Sequence, residues 1–111
     1  MTYQMKLNPS PFELIKSGHK TVEMRLNDEK RGRIKIGDEI EFSNRENGEK
    51  MLTRVVNLTK FKNFCELYVH FDKCVLGYLE NEDANPCHMS KYYPQEDIDK
   101  HGVLAIEITL I

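Results

Sequence analysis

From Tyr3 to Leu7 bulky apolar side chains (Tyr3, Met5, Leu7) alternate with polar ones (Gln4, Lys6), the period-two pattern of a half-buried strand. After Asn8 and Pro9 the pattern changes. Ser10 as N-cap, Pro11 at the first helical position and Glu13 three residues after the cap predict a helix start, with Phe12, Leu14 and Ile15 as its buried stripe. Gly18 ends this helix where a left-handed residue is wanted. Alternation returns from His19 to Leu26, with Val22, Met24 and Leu26 on one face and Thr21, Glu23 and Arg25 on the other. This predicts a second strand, antiparallel or adjacent to the first.

The stretch Asn27 to Lys35 is charged and reads as an exposed loop. Gly37-Asp38 is a turn opening a strand over Glu39 to Phe42, and Asn47-Gly48 predicts a hairpin into a strand over Met51 to Leu58. Phe61, Phe64, Leu67 and Tyr68 recur at helical spacing and predict a short amphipathic helix after Lys60. The segment Tyr78 to Lys100, with Pro86 and Pro94, reads as loops carrying short helices. Gly102 releases a last strand, Val103 to Leu110, whose β-branched residues predict a central position or pairing on both sides. There is no repeated βαβ unit. The order predicts an α+β fold: a mixed, mainly antiparallel sheet curled towards a small barrel, with short helices covering its open ends.

A length of 111 residues suits one domain spanning 1–111. No apolar run approaches the roughly 20 residues needed to cross a bilayer, and the N-terminus lacks a signal-peptide pattern. Cys65, Cys74 and Cys87 form an odd set without a close pair, which suits reduced, buried or inert thiols. The expected location is therefore the cytoplasm, with no membrane partner. A formal charge of −2 argues against long duplex DNA, whose binders neutralise many phosphates, but leaves open a single strand or a nucleotide met by a local cation cluster.

Chemistry concentrates in Gly18-His19-Lys20-Thr21-Val22-Glu23-Met24-Arg25. Glu23 and Arg25 share a strand face, and Lys20 at the strand entrance can bend onto it. An ammonium and a guanidinium suit phosphate or carbonyl oxygens, and a carboxylate suits a base amino group or the lysine. On charge pattern alone the plainer reading is an exposed ion pair of ~0–1 kcal/mol. The run Lys30, Arg31, Arg33, Lys35 is flanked by Asp28, Glu29 and Asp38 and reads as a solvated loop. His70 and Cys74 would share a helix face, but Cys65, Cys87 and His88 supply no compact ligand spacing, so no metal and no cofactor is expected. Tyr92 and Tyr93, beside Met89, Ser90 and Lys91, can form a lid that stacks a base, although one tyrosine of such a pair is commonly core.

The helix Phe12 to Ser17, followed by Gly18, Lys20, Glu23 and Arg25, resembles the GxKxxExR signature of the ASCH domain family. Gly37-Asp38-Glu39-Ile40-Glu41-Phe42 is similar to the family's GD strand, and Gly102 to Ile108 to its closing strand. The resemblance implies a PUA-like β-barrel, a cleft faced by Lys20, Glu23 and Arg25, and RNA or nucleotide binding. It shifts the reading of the motif from a surface ion pair to a functional cleft. The expected ligand-binding set is Gly18, Lys20, Glu23, Arg25 and Tyr92, with Lys20 and Glu23 as candidate catalytic groups. One family branch resembles an N4-acetylcytidine amidohydrolase that uses the lysine, a threonine three residues later and a glutamate from a later segment. Here that position is Glu23, and Glu66 is the nearest guess for the later glutamate, so the leading expectation is binding. Hydrolysis of a modified nucleoside or an RNA phosphodiester is the alternative, with a small-metabolite or protein-interaction module as a third reading.

Overall fold

A computed structural model describes residues 1–111. Five strands form one sheet: β1 (Thr2–Leu7), β2 (Val22–Leu26), β3 (Glu39–Asn44), β4 (Lys50–Phe61) and β5 (Val103–Leu110). Their spatial order is β1-β3-β4-β5-β2. Only the β1–β3 pair is parallel. The helices are α1 (Pro9–Lys16), α2 (Phe64–His70) and α3 (Gln95–His101), with 3-10 turns at Arg31–Arg33 and Pro86–Lys91.

β1 and β2 are consecutive in sequence but do not pair; they are the two edges of the sheet. This corrects the expectation of adjacency. β2 instead pairs antiparallel with β5, which also pairs with β4. The predicted central place of the last strand follows from that arrangement, since β5 is buried on both faces. Leu104, Ile106 and Ile108 enter a core with Phe12, Ile15, Ile40 and Phe42, while Val103 and Ala105 enter a second with Val22, Met24, Phe64, Leu67 and Ile98.

The sheet curls into a half-barrel. β4 carries a register shift between Val55 and Asn57, an extra residue that increases local twist and lets one 12-residue strand serve β3 at one end and β5 at the other. The two free edges approach closely enough that Arg25 on β2 donates from Nη2 to the carbonyl of Lys6 on β1 at 3.2 Å. A side chain bridges the gap there.

Several local expectations shift for identifiable reasons. α1 begins at Pro9, two residues before the start a Ser10 cap predicts, with Asn8 in the N-cap position and no side-chain cap bond. Pro9 suits the first helical position because it has no N–H to satisfy. α1 still buries Phe12 and Ile15, each worth ~1.5–3 kcal/mol. β2 begins at Val22 rather than His19, because the amides of His19 and Lys20 both donate to Leu14 O and those of Thr21 and Val22 to Val75 O. β4 runs on to Phe61 because β5 pairs it that far. α2 is capped by Asn63, whose side chain accepts from the Glu66 amide. α2 stops at His70, so Cys74 shares no helix face with it. Cys65 and Cys87 are exposed and Cys74 is half-buried, so none of the three is core.

Candidate functional site

A cleft of about 480 Å³ opens where the curled sheet meets α1, the end of α2 and the Pro86–Lys91 turn. That volume is within the range of small-ligand sites. Lys20, Glu23, Arg25 and Tyr92 line it together with Tyr68, Tyr78, His88 and Tyr93.

The chain reaches the cleft through Gly18, whose φ of +83° turns it out of α1. Gly18 itself is exposed, lies outside the lining and has open space where a Cβ would stand. It shapes the approach of the motif to the cleft and does not form its wall.

Lys20 is 5% exposed and Glu23 6%, which corrects the reading of a screened surface pair. Lys20 Nζ donates to Leu76 O at 2.9 Å and lies 3.4 Å from Glu23 Oε1. On the other oxygen, Glu23 Oε2 accepts from Arg25 Nε at 2.9 Å and Nη2 at 2.7 Å. One carboxylate therefore fixes two cations, and each carboxylate oxygen faces one of them. Burial pushes the Glu23 carboxyl up, but the charges of Lys20 and Arg25 and their hydrogen bonds outweigh it and hold the group below the ordinary carboxylate value. Glu23 is thus an ionised anchor and a weak proton acceptor.

Gly77 is the counterpart of the lysine. Its φ is +108°, and a Cβ there would stand 3.1 Å from Lys20 Cδ. A side chain there would be strained by the positive φ and would push the aliphatic stem of Lys20 away from the 76–78 segment. The same segment presents a chain of polar aromatics: the hydroxyls of Tyr68 and Tyr78 are 2.8 Å apart, and Tyr78 Oη is 2.9 Å from His88 Nδ1. His19 Nε2 is 2.9 Å from Tyr78 O and ties the motif to that segment. Burial and the bond to Tyr78 raise the Tyr68 phenol well above its usual range, so it stays protonated even in alkaline solution.

Tyr92 and Tyr93 have different surroundings, and neither is fully buried. Tyr93 is half-buried, stacks on Phe64 with centroids 5.9 Å apart, and faces Arg25. Tyr92 is 59% exposed on the cleft wall. Met89 and Lys91 join the lining, and Ser90 does not.

Sequence reasoning missed Lys6, Arg45, Tyr68, Tyr78 and His88, which reach the cleft from β1, the turn after β3, α2, the loop after α2 and the Pro86–Lys91 turn. It also placed Arg31 in a solvated loop. Arg31 is instead half-buried, donates from Nη1 to Asp28 Oδ2 at 2.8 Å and lines the cleft. Arg33 and Lys35 of that run are exposed, as expected. The signals available were faint: Leu76-Gly77-Tyr78 has a glycine between apolar residues, and the helical spacing of Tyr68 reads as core. Glu66 does not reach the cleft; it sits in the first turn of α2, where its carboxylate accepts from the Lys62 amide.

Six Lys and Arg side chains line the cleft against one carboxylate, Glu23, although the whole chain carries a formal charge of −2. The site is therefore electropositive against an acidic background, suited to an anionic or electron-rich planar ligand held between cations and aromatic faces.

The ASCH domain family model matches residues 5–111. Among solved structures, the hypothetical protein PH0355 is 33% identical over all of both chains with a TM-score of 0.84. Protein PF0455 from Pyrococcus furiosus is 34% identical over all of this chain and 98% of its own, with a TM-score of 0.73. The S128A mutant of ZmASCH from Zymomonas mobilis shares the fold at 16% identity, covering 97% of this chain and 67% of its own with a TM-score of 0.66. No curated protein matches. The match of nearly the whole chain to the family model, together with a half-barrel shared with ASCH structures, means that this chain belongs to the ASCH domain family, whose PUA-like fold is generally of the RNA-binding type.

Proposed function

We propose that the cleft binds a nucleotide unit of RNA. The observation that carries this reading is the lining itself: six cations, one ionised carboxylate and a bank of phenol and imidazole rings in a cleft of nucleotide scale. Lys20 and Arg25 meet phosphate or base oxygens, and Glu23 Oε1 offers its remaining lone pair to a base amino group. Tyr92, the exposed ring, stacks on the base.

The geometry supports binding over hydrolysis. No hydroxyl stands at the position of Glu23, Glu66 is outside the cleft, and a carboxylate held below its ordinary pKa is a poor general base. Calorimetric titration with nucleotides and short single-stranded RNA tests the proposal. Tyr92→Ala is expected to weaken binding by ~1–3 kcal/mol without changing the melting temperature, because its ring is mostly outside the core. Absence of binding by every nucleotide and RNA, or affinity unmoved by both Tyr92→Ala and Lys20→Ala, would show the proposal wrong.

A further inference from the structure

A second, smaller groove of about 270 Å³ adjoins the cleft and shares Lys6, Arg25, Arg31 and Arg45 with it. Arg25, with Lys6, Arg31 and Arg45, forms the saddle between the two. Its guanidinium is held by Glu23 on the cleft side, and its Nη2 also donates to Lys6 O. Beyond that saddle the groove adds Lys30, and no Asp or Glu lines it. Arg25 and Arg31 are neutralised by Glu23 and Asp28, but Lys6, Lys30 and Arg45 have no carboxylate within 4.0 Å. The three unpaired cations come from three separate elements: the end of β1, the loop after β2 and the turn after β3. In an acidic protein, such a row flanking a nucleotide-sized cleft has no internal counter-charge to satisfy.

A mononucleotide seated in the cleft leaves Lys30, the one cation of the second groove that does not line the cleft, unused. A strand that continues past Arg25 brings further phosphates over Lys30, past Lys6 and Arg45, which line both hollows. We infer that the second groove is a backbone track, and that the ligand is therefore a single-stranded RNA of two or more nucleotides, its phosphodiesters running from the cleft over Arg25 to Lys30. This inference rests on the nucleotide reading of the cleft.

Lys30 belongs to the second groove alone and is exposed, so its replacement spares the cleft and the core. Fluorescence anisotropy with a labelled six-nucleotide RNA over a series of salt concentrations, beside titration of a nucleoside monophosphate, tests the track. The hexamer is expected to bind more tightly than the monophosphate. Lys30→Ala should reduce the slope of log affinity against log salt by ~0.7, the share of one phosphate contact on a single strand. Lys30→Glu should weaken hexamer binding on the order of tenfold at low salt, where an attraction becomes a repulsion, and leave the monophosphate affinity unchanged. A hexamer bound no more tightly than the monophosphate, or one indifferent to Lys30→Glu, overturns the track while leaving the cleft reading in place. Failure of both ligands to bind overturns both.

Discussion

Replacing Glu23 with glutamine removes the one charge that reconciles Lys20 and Arg25 with burial, while keeping side-chain volume. In the native protein Lys20 is 5% exposed and the Arg25 side chain 12%, and Glu23 is the carboxylate within salt-bridge distance of both. The substituted amide would still accept from Arg25 through its carbonyl, but its N–H would then point at the Lys20 ammonium. Removing one partner of a buried ion pair costs ~3–5 kcal/mol. The retained bond from Lys20 to Leu76 O and the open mouth of the cleft place this case at the lower end, ~3 kcal/mol. An unfolding entropy of ~2.1 cal/mol/K per residue over 111 residues converts that loss into a fall in melting temperature of roughly 13 °C.

Circular-dichroism melts of wild type and Glu23→Gln between pH 3 and pH 8 would measure it. Because the Glu23 carboxyl is depressed in the folded state, its contribution is fully present above the unfolded value near 4.5 and is lost as pH falls through the lower folded value. The two proteins should thus differ most at neutral pH and converge in acid. In a double-mutant cycle, Lys20→Met with Glu23→Gln should cost less than the sum of the single changes, because one orphaned cation is gone. A variant that melts within about 2 °C of wild type at pH 7 on this scale, or a gap that persists unchanged into acid, would refute the account of Glu23 as the electrostatic anchor.

Two further outcomes probe the framework around the site. Gly77→Ala places a side chain at φ +108° and 3.1 Å from Lys20 Cδ, so it should destabilise by ~1–3 kcal/mol in denaturant melts and, by displacing Lys20, weaken nucleotide binding as well. Thr53→Val keeps the shape of a fully buried residue but deletes the hydroxyl that donates to Ile40 O at 2.9 Å; urea unfolding should show a loss of about 1 kcal/mol with an unchanged m-value.

Local rules accounted for much of the chain. The alternation of Tyr3 to Leu7 and of His19 to Leu26 predicts strands that are present, the second from Val22 onward, because period two is imposed by the backbone and does not depend on the partner strand, and the β-branched run Val103 to Leu110 predicts the last. The motif Gly18 to Arg25 was likewise legible: a turn glycine, a lysine at the strand entrance, and Glu23 and Arg25 on one face are all consequences of near-neighbour geometry. Which strands pair is another matter. β1 and β2 look like neighbours in sequence, yet the hydrophobic requirement on both faces of β5 draws β2 to it and leaves β1 and β2 as opposite edges.

The cleft exists only through that arrangement. Alternation assigned Glu23 to a polar face and therefore an exposed one, but curling of the sheet folds that face inward and brings Tyr68, Tyr78, His88 and Arg45 to it from distant segments. Burial in turn changes what the charges are: a pair that would be screened and nearly neutral in water becomes, once dehydrated, an interaction the surrounding structure must satisfy group by group. The order of residues was enough to define the motif and the strands that carry it. That these residues are buried, paired and facing aromatic rings came from the folding of the sheet, because solvent exclusion depends on contacts between segments that no local pattern encodes.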